Sequence, residues 1–596
     1  MKSTFGVNAG KFVFNGQAVR LISGAMHYFR IVPAYWEDRL LKLKACGFNA
    51  VETYIPWNLH EPKEGSFNFE GIADIKRFIE LAHRLDLFVI VRPSPYICAE
   101  WEFGGLPAWL LADANMKLRC MHKPYLDKLD AYYDVLIPLL TPLLCTNGGP
   151  IIAMQIENEY GSYGNDKAYL AYIKDGLVRR GVDVLLFTSD GAEDYMLQGG
   201  MLLPKVLATV NFGSKPEQSF EKLGQYQPDK PKMCMEYWNG WFDHWGEIHH
   251  VRENEDVAVE LDRILSSGAS VNFYMFHGGT NFGFYNGANY FNRYEPTVTS
   301  YDYNALLNEA GDITEKYLAI REVIAKHVGM PEALMPEPIK KKNYGVVRLI
   351  EQANLFAQLD LLSQPVYSVY PETMERLGQS YGFIHYRTIV SGPRPESKVV
   401  IQEVRDRALV YLDGEYQGVI DRNDHDIGLD IREHDIVVAT PPEGSTLGIL
   451  VENMGRVNYG WMLKDPKGIT EGVRLGGQFL FGWDIFTLPM DNLTNLEFEP
   501  LAAQDERSGP LASPTFFRGS FEVAEPADTF LKLEGWSKGS VFINGFNIGR
   551  YWNIGPQKTL YVPGPLLIEG TNELIVLELH AMIEPAVRFQ DFMELG

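Results

Sequence analysis

The sequence predicts a multidomain protein in which an N-terminal (β/α)8 barrel is followed by two all-β domains. Three observations carry this. The chain has 596 residues, more than one hydrophobic core accommodates. Residues 1–330 alternate apolar strand-like runs with helical periods. Beyond Pro331 the helical period fades, and short alternating strands separated by Gly, Asn and Asp turns replace it.

Eight runs in the first part read as parallel strands. They are LISGAMHY (from Leu21), NAVETYIPW (from Asn49), LFVIVRPSPY (from Leu87), IIAMQIENEY (from Ile151), LLFTSD (from Leu185), VLATVNFG (from Val206), PKMCMEYW (from Pro231) and SVNFYMFHGG (from Ser270). Several are continuously apolar, as strands buried on both faces are. Between them Ile75, Phe78, Ile79 and Ala82 share one helical face, as do Trp36, Leu40 and Leu43, with Gly47 placed as a helix stop. Eight strands with intervening helices predict a TIM barrel. A doubly wound sheet is the alternative, but no Gly-x-Gly fingerprint occurs in this part.

The stretch PEALMPEPIKKK (from Pro331), with three Pro and a basic run, reads as a linker over 331–345. A first β-sandwich is expected over 346–500 and a second, jelly-roll domain over 501–596, the break falling near LAAQDERSGPLASP (from Leu501). The two share a weak repeat. Val410–Gly414 with Gly418 parallels Val541–Gly545 with Gly549, and GILVENMG (from Gly448) parallels LIVLELHA (from Leu574). Asp-Gly and Asn-Gly mark hairpin turns.

Composition narrows the function. A formal charge of −23 repels phosphate backbones and acidic membranes, which argues against nucleic-acid and membrane partners. No run approaches the length of a membrane span, and the N-terminus lacks the apolar core of a signal peptide. The five Cys are odd in number, widely spaced and absent after Cys234, so no disulfide framework is expected and the cytoplasm is the predicted compartment. Asn492-Leu493-Thr494 fits a glycosylation acceptor but reads as chance in that compartment. There is no His-Glu-x-x-His, no ligand spacing beyond His249-His250, and the one Gly-Lys, Gly10-Lys11, is followed by Phe12. No metal and no organic cofactor are expected. Aromatic residues make up 13% of the chain; beyond the core they suit an amphipathic ligand such as a sugar.

Two strand ends carry carboxylates. QIENEYGSYG (from Gln155) puts Glu157, Asn158 and Glu159 at the end of the fourth strand, and MEYWNGWFDHW (from Met235) puts Glu236 at the end of the seventh. The C-terminal strand ends form the working face of such a barrel, and carboxylates after apolar strands are costly unless paired or used. Two carboxyl groups across a pocket are what glycosidic cleavage requires. A lone buried Glu is as readily part of a structural ion pair. Here an Asn adjoins one and aromatics crowd the other, which favours catalysis. This reasoning leaves Glu157 competing with Glu159, and the sugar unnamed.

The run GGPIIAMQIENEY (from Gly148) resembles the signature of family 35 glycoside hydrolases, the β-galactosidase family. The likeness extends through SGAMHYFRIVP (from Ser23), ETYIPWNLHEP (from Glu52), RPSPYICAEWEFGGLPAWL (from Arg92), YMFHGGTNFG (from Tyr274), TSYDYNA (from Thr299) and FINGFNIGRYWNIGPQ (from Phe542). The chain looks most like the shorter, non-secreted bacterial members. The resemblance implies a barrel, galactose-binding-like jelly rolls and retention at the anomeric carbon. It assigns the proton donor to Glu159, the nucleophile to Glu236 and a 2-hydroxyl contact to Asn158. It places galactose contacts at Tyr54, Ala99, Glu100 and Tyr303, with Tyr274 and Tyr301 lining the same pocket. Glu157 is left a structural role. An ionised Glu100 is acceptor-rich and suited to sugar hydroxyls, the alternative being an ion pair with Arg30 or Arg92.

The leaving-group side is less defined. Trp238, Trp241 and Trp245 follow the nucleophile, with Trp241, then Trp238, expected on the wall, and Tyr459 is a weaker candidate reaching over from a β domain. Cys98 and Cys234 read as strand packing. The expected substrate is an oligosaccharide or glycan ending in β-galactose, β-1,3-linked by the resemblance. A homodimer is the commonest default for the assembly. Two alternatives stay open: another exo-glycosidase such as a β-glucosaminidase, and a non-catalytic carbohydrate-binding protein.

Overall fold

The structure is a computed structural model describing residues 2–93, 95–331, 335–501 and 509–596. The expected linker and the expected break near 501 fall partly outside these residues. The eight apolar runs form strands β1 (Ile22–Met26), β2 (Ala50–Tyr54), β3 (Phe88–Arg92), β4 (Ile151–Gln155), β5 (Leu185–Gly191), β6 (Leu207–Phe212), β7 (Met233–Trp238) and β8 (Ser270–His277). They close into a barrel in which each pairs with its sequence neighbours and β8 pairs with β1. The pairings are parallel throughout. All residues of β1, β2 and β4 are buried, because helices cover the outside and side chains fill the interior.

Eight helices follow the strands in turn: α1 (Trp36–Ala45), α2 (Ile75–Arg84), α3 (Lys123–Leu140), α4 (Lys167–Arg179), α5 (Asp194–Gly200), α6 (Pro216–Tyr226), α7 (Asn254–Ser266) and α8 (Glu315–Val328). Helix α2 shows why the pattern was readable. Asp74 caps it by accepting from the Arg77 N–H at 3.0 Å, and the face of Ile75, Phe78, Ile79 and Ala82 is fully packed. Gly47 takes φ +100° after α1, where a Cβ would meet Ile324 at 2.8 Å. A small antiparallel sheet (Phe5–Asn8, Lys11–Phe14, Gln17–Val19) covers the N-terminal end of the barrel, with Phe14 edge-on to Phe88 at 4.9 Å.

Two β-sandwiches follow, and the strand pairing corrects the expected cut between them. Gly345–Arg348 pairs with Ala586–Gln590, and Glu351–Asn354 pairs with Thr515–Arg518. The C-terminal sandwich therefore takes strands from before the first sandwich, whose sheets run from Val366–Ser368 to Trp483–Leu488. The boundary at 346 assigned those two strands to the wrong domain, because their partners lie far downstream and leave no mark on the local pattern. The repeat is real at the level of register. Val410 faces Gly418 and Val541 faces Gly549, each hairpin shifting register at the next residue. The sandwiches meet through Leu409, Tyr411, Leu450 and Phe486 of one and Phe516, Phe542, Ile575 and Leu577 of the other, with Phe284 of the barrel in the same cluster.

Candidate active site

The C-terminal ends of the barrel strands surround a cavity of about 320 Å³. Tyr54 closes β2, Asn158 and Glu159 follow β4, Glu236 lies in β7 and Tyr274 in β8. Tyr54, Ala99, Glu100, Asn158, Glu159, Glu236, Trp238, Trp241, Tyr274, Tyr303 and Tyr459 all line the cavity. Tyr301 stands behind it, its hydroxyl 3.0 Å from that of Tyr274 and donating to Glu100 at 2.5 Å. Trp245 lies elsewhere, on a larger cleft of about 600 Å³ between the barrel and the β domains that contains neither Glu159 nor Glu236. Cys98 corrects its sequence reading: it sits in the loop after β3 and lines the cavity, whereas Cys234 is buried within β7.

The two glutamates occupy contrasting surroundings. Glu236 accepts hydrogen bonds from the Tyr54 hydroxyl at 2.7 Å, Arg92 Nη2 at 2.6 Å and Trp238 Nε1 at 3.2 Å. Glu159 accepts from Asn211 Nδ2 at 3.0 Å. Burial, reinforced by the neighbouring charge of Glu236, pushes the Glu159 carboxyl up to about 8. Asn158 Oδ1 accepts from Arg92 at 2.6 Å and Gln155 at 3.0 Å, and lies 2.9 Å from the Tyr54 hydroxyl, whose one proton goes to the nearer Glu236. Its Nδ2 donates to the Ile97 carbonyl at 3.2 Å, which leaves a second amide hydrogen for a ligand.

Arg92 organises this floor. It is fully buried and stacks on the Tyr54 ring at 3.9 Å, with Nε 3.8 Å from Glu52. Burial pushes Glu52 to about 7. Glu157 is committed elsewhere: Arg119 grips it in a fork at 3.0 and 2.8 Å and Tyr169 adds a bond at 2.9 Å. Glu100 pairs with neither Arg30 nor Arg92 among the described residues. Arg30 donates to the Ala99 carbonyl at 2.5 Å and stacks over Tyr301 at 3.8 Å. Burial pushes Glu100 to about 7.

The backbone is strained where the cavity is built. Cys98, Ala99 and Glu100 take φ of 58°, 58° and 47° in succession, and Glu159 and Tyr303 take 45° and 62°. Non-glycine residues rarely adopt such values, and they persist only where surrounding contacts over-determine them.

Sequence reasoning missed four cavity residues, Phe242, His244, Asn289 and Phe291, and Asn211 behind Glu159. Asn211 is a polar residue near the end of an apolar strand, a signal that could have been used. Phe291 sits beside a short hairpin, Ala288–Tyr290 with Tyr294–Pro296, and is 62% exposed; nothing in its local pattern marks it.

A barrel with two such carboxyl groups facing one cavity has the equipment of a glycosidase. Residues 11–327 match the family model for glycosyl hydrolases family 35. Residues 371–489 match the first all-beta domain of beta-galactosidase, and residues 514–572 its galactose-binding domain. Beta-galactosidase of Mus musculus is 45% identical to this chain over 599 residues, covering 96% of the chain and 90% of the relative. Beta-galactosidase-1-like protein 2 of Homo sapiens is 43% identical, covering 98% and 91%. The chain belongs to glycosyl hydrolases family 35, and it is a glycoside hydrolase. Among the described residues no helix is long and apolar enough to cross a membrane, and no group of His, Cys, Asp and Glu is arranged to hold a metal ion.

Proposed function

We propose that this enzyme removes terminal β-D-galactose from oligosaccharides with retention of configuration. Glu236 attacks the anomeric carbon while protonated Glu159 gives its proton to the departing glycosidic oxygen. Water, deprotonated by Glu159, then cleaves the galactosyl–Glu236 ester and releases β-galactose. The observation that carries this reading is the contrast between the carboxyls. Glu236 is met by a guanidinium, a phenol and an indole, all donors. Glu159 is held protonated by burial and by Glu236 itself.

Galactose recognition rests on Tyr54, Glu100, Asn158, Tyr274 and Tyr303 around the ring, with Ala99 offering backbone and Tyr301 orienting Glu100. The leaving group lies toward Trp241, which is 40% exposed and stands edge-on to Trp238 at 6.0 Å, with Tyr459 lining the same cavity. The catalytic domain is the barrel, residues 1–330. All five cysteines are free thiols, which supports a reducing, cytoplasmic setting. A panel of nitrophenyl glycosides tests the sugar: hydrolysis of the β-galactoside is expected, and turnover confined to a β-glucosaminide overturns the reading. Digestion of defined galactosides tests the expected β-1,3 preference. NMR of the first product tests stereochemistry: β-galactose is expected, and α-galactose overturns the two-step mechanism.

A further inference from the structure

We propose that Arg456, in the first β-sandwich, is a positioning residue for sugar recognition, holding the barrel loop that carries Ala99 and Glu100 in its strained shape. The inference rests on the reading of those two residues as galactose contacts.

The loop from Tyr96 to Gly105 is costly to keep. Besides Cys98, Ala99 and Glu100, Phe103 is left-handed at φ 55°. Four non-glycine residues in that region within one short loop require external support. Part of it comes from the barrel: Arg30 donates to the Ala99 carbonyl at 2.5 Å and Gly287 N–H to the Glu100 carbonyl at 2.8 Å. The barrel also holds Glu102, Asn58 Nδ2 donating to its carbonyl at 2.9 Å and its N–H donating to the Tyr285 carbonyl at 2.8 Å, and further support comes from another domain. The Tyr96 hydroxyl donates to the Asn458 carbonyl, Asn458 Nδ2 lies 3.5 Å from the Cys98 sulfur, and the Phe103 N–H donates to the Arg456 carbonyl. A Cβ on Gly104 would come within 3.0 Å of the Asn458 carbonyl, so the two backbones are in direct contact.

Arg456 fastens this junction. Its side chain is fully buried and bridges carboxylates of two domains, Nη1 donating to Glu102 of the barrel loop and Nε to Glu375 of the sandwich at 2.9 Å. Nη2 also donates to Glu375, and Nη1 to the Ser380 carbonyl. A planar fork with several donors serves two carboxylates at once, which an ammonium cannot do with the same geometry. Glu102 is only two residues beyond Glu100, so the bridge acts on the segment that presents the sugar contacts. Without it two buried carboxylates would face each other unneutralised, and the loop would relax away from its left-handed path. The β domains are thereby part of the recognition site, although Arg456 itself does not line the cavity.

The test is steady-state kinetics of Arg456→Lys on a nitrophenyl β-galactoside, beside Glu100→Gln and the full-length parent. Loss of contacts made equally in ground and transition states raises KM and spares kcat. KM should therefore rise about tenfold with kcat within about threefold, inside the ~10²-fold that an ångström of misplacement can cost. A lowered melting temperature with KM unchanged would mean that the bridge is structural only, and overturns the proposal. If Arg456→Lys does not fold, Glu102→Gln, which keeps shape and the Arg456–Glu375 pair, is expected to raise KM about threefold; an unchanged KM overturns the proposal. Glu100→Gln separates the two failures. If it raises KM and the bridge variants do not, the positioning role fails alone; if it leaves KM unchanged, the reading of the sugar site fails and this inference with it.

Discussion

Asn211→Ala tests the role of Glu159 through its proton. Asn211 supplies the side-chain hydrogen bond to Glu159, Nδ2 to Oε1 at 3.0 Å, and that bond favours the carboxylate form. A hydrogen bond to a charged group is worth about 1.5–3 kcal/mol, and 1.36 kcal/mol corresponds to one pH unit. Removing the donor raises the Glu159 pKa further above its value of about 8. Glu159 must be protonated to donate, so activity falls as pH rises through that pKa. The alkaline limb of kcat/KM should move up by about one to two pH units in the variant. The assay is a pH profile with an alkyl β-galactoside, whose leaving group needs the proton. A dinitrophenyl β-galactoside, whose leaving group does not, should show no such limb in either protein. A limb that stays in place, or moves to lower pH, would refute the assignment of Glu159 as the donor.

Trp241→Ala should raise KM or change the order of preference among galactosides differing only in linkage; unchanged kinetics across the set would remove it from the leaving-group wall. Arg119→Met leaves Glu157 buried and unpaired and should cost about 3–5 kcal/mol in urea unfolding, whereas an unchanged midpoint would contradict a structural role for the pair. Burial opposes the charge on Asp465, yet Arg422, Lys467 and Arg405 hold its pKa far below the ordinary carboxylate range. Its stabilisation is therefore complete above the unfolded pKa of about 4 and is lost only as pH falls below it. Asp465→Asn should start less stable at neutral pH and lose less on acidification, and thermal melts at stepped pH will show whether the two curves converge.

The barrel was legible because strands buried on both faces carry continuous apolar runs, as residues 151–154 and 233–235 do. The two cavity glutamates were legible because they stand at or just beyond the C-terminal ends of such runs. What the local pattern could not resolve was partnership. Glu157 and Glu159 are equivalent in sequence, and only the Arg119 fork and the Asn211 contact separate them in space. The first strands of the C-terminal sandwich went to the wrong domain for the same reason, since pairing between Gly345–Arg348 and Ala586–Gln590 leaves no local trace. Nothing in the local pattern marks Arg456, because its meaning lies in Glu102 and Glu375, each far from it along the chain.

The most direct measurement is covalent trapping with 2-deoxy-2-fluoro-β-galactosyl fluoride, followed by peptide mass analysis. Fluorine at C2 slows both displacements, and the fluoride leaves without needing a proton, so the glycosyl-enzyme accumulates. Time-dependent inactivation, protection by galactose, and one fluorogalactosyl group on the peptide containing Glu236 are expected. A label on another carboxylate, or turnover of β-galactosides with no label at all and an α-configured first product, would contradict the assignment of Glu236 as nucleophile.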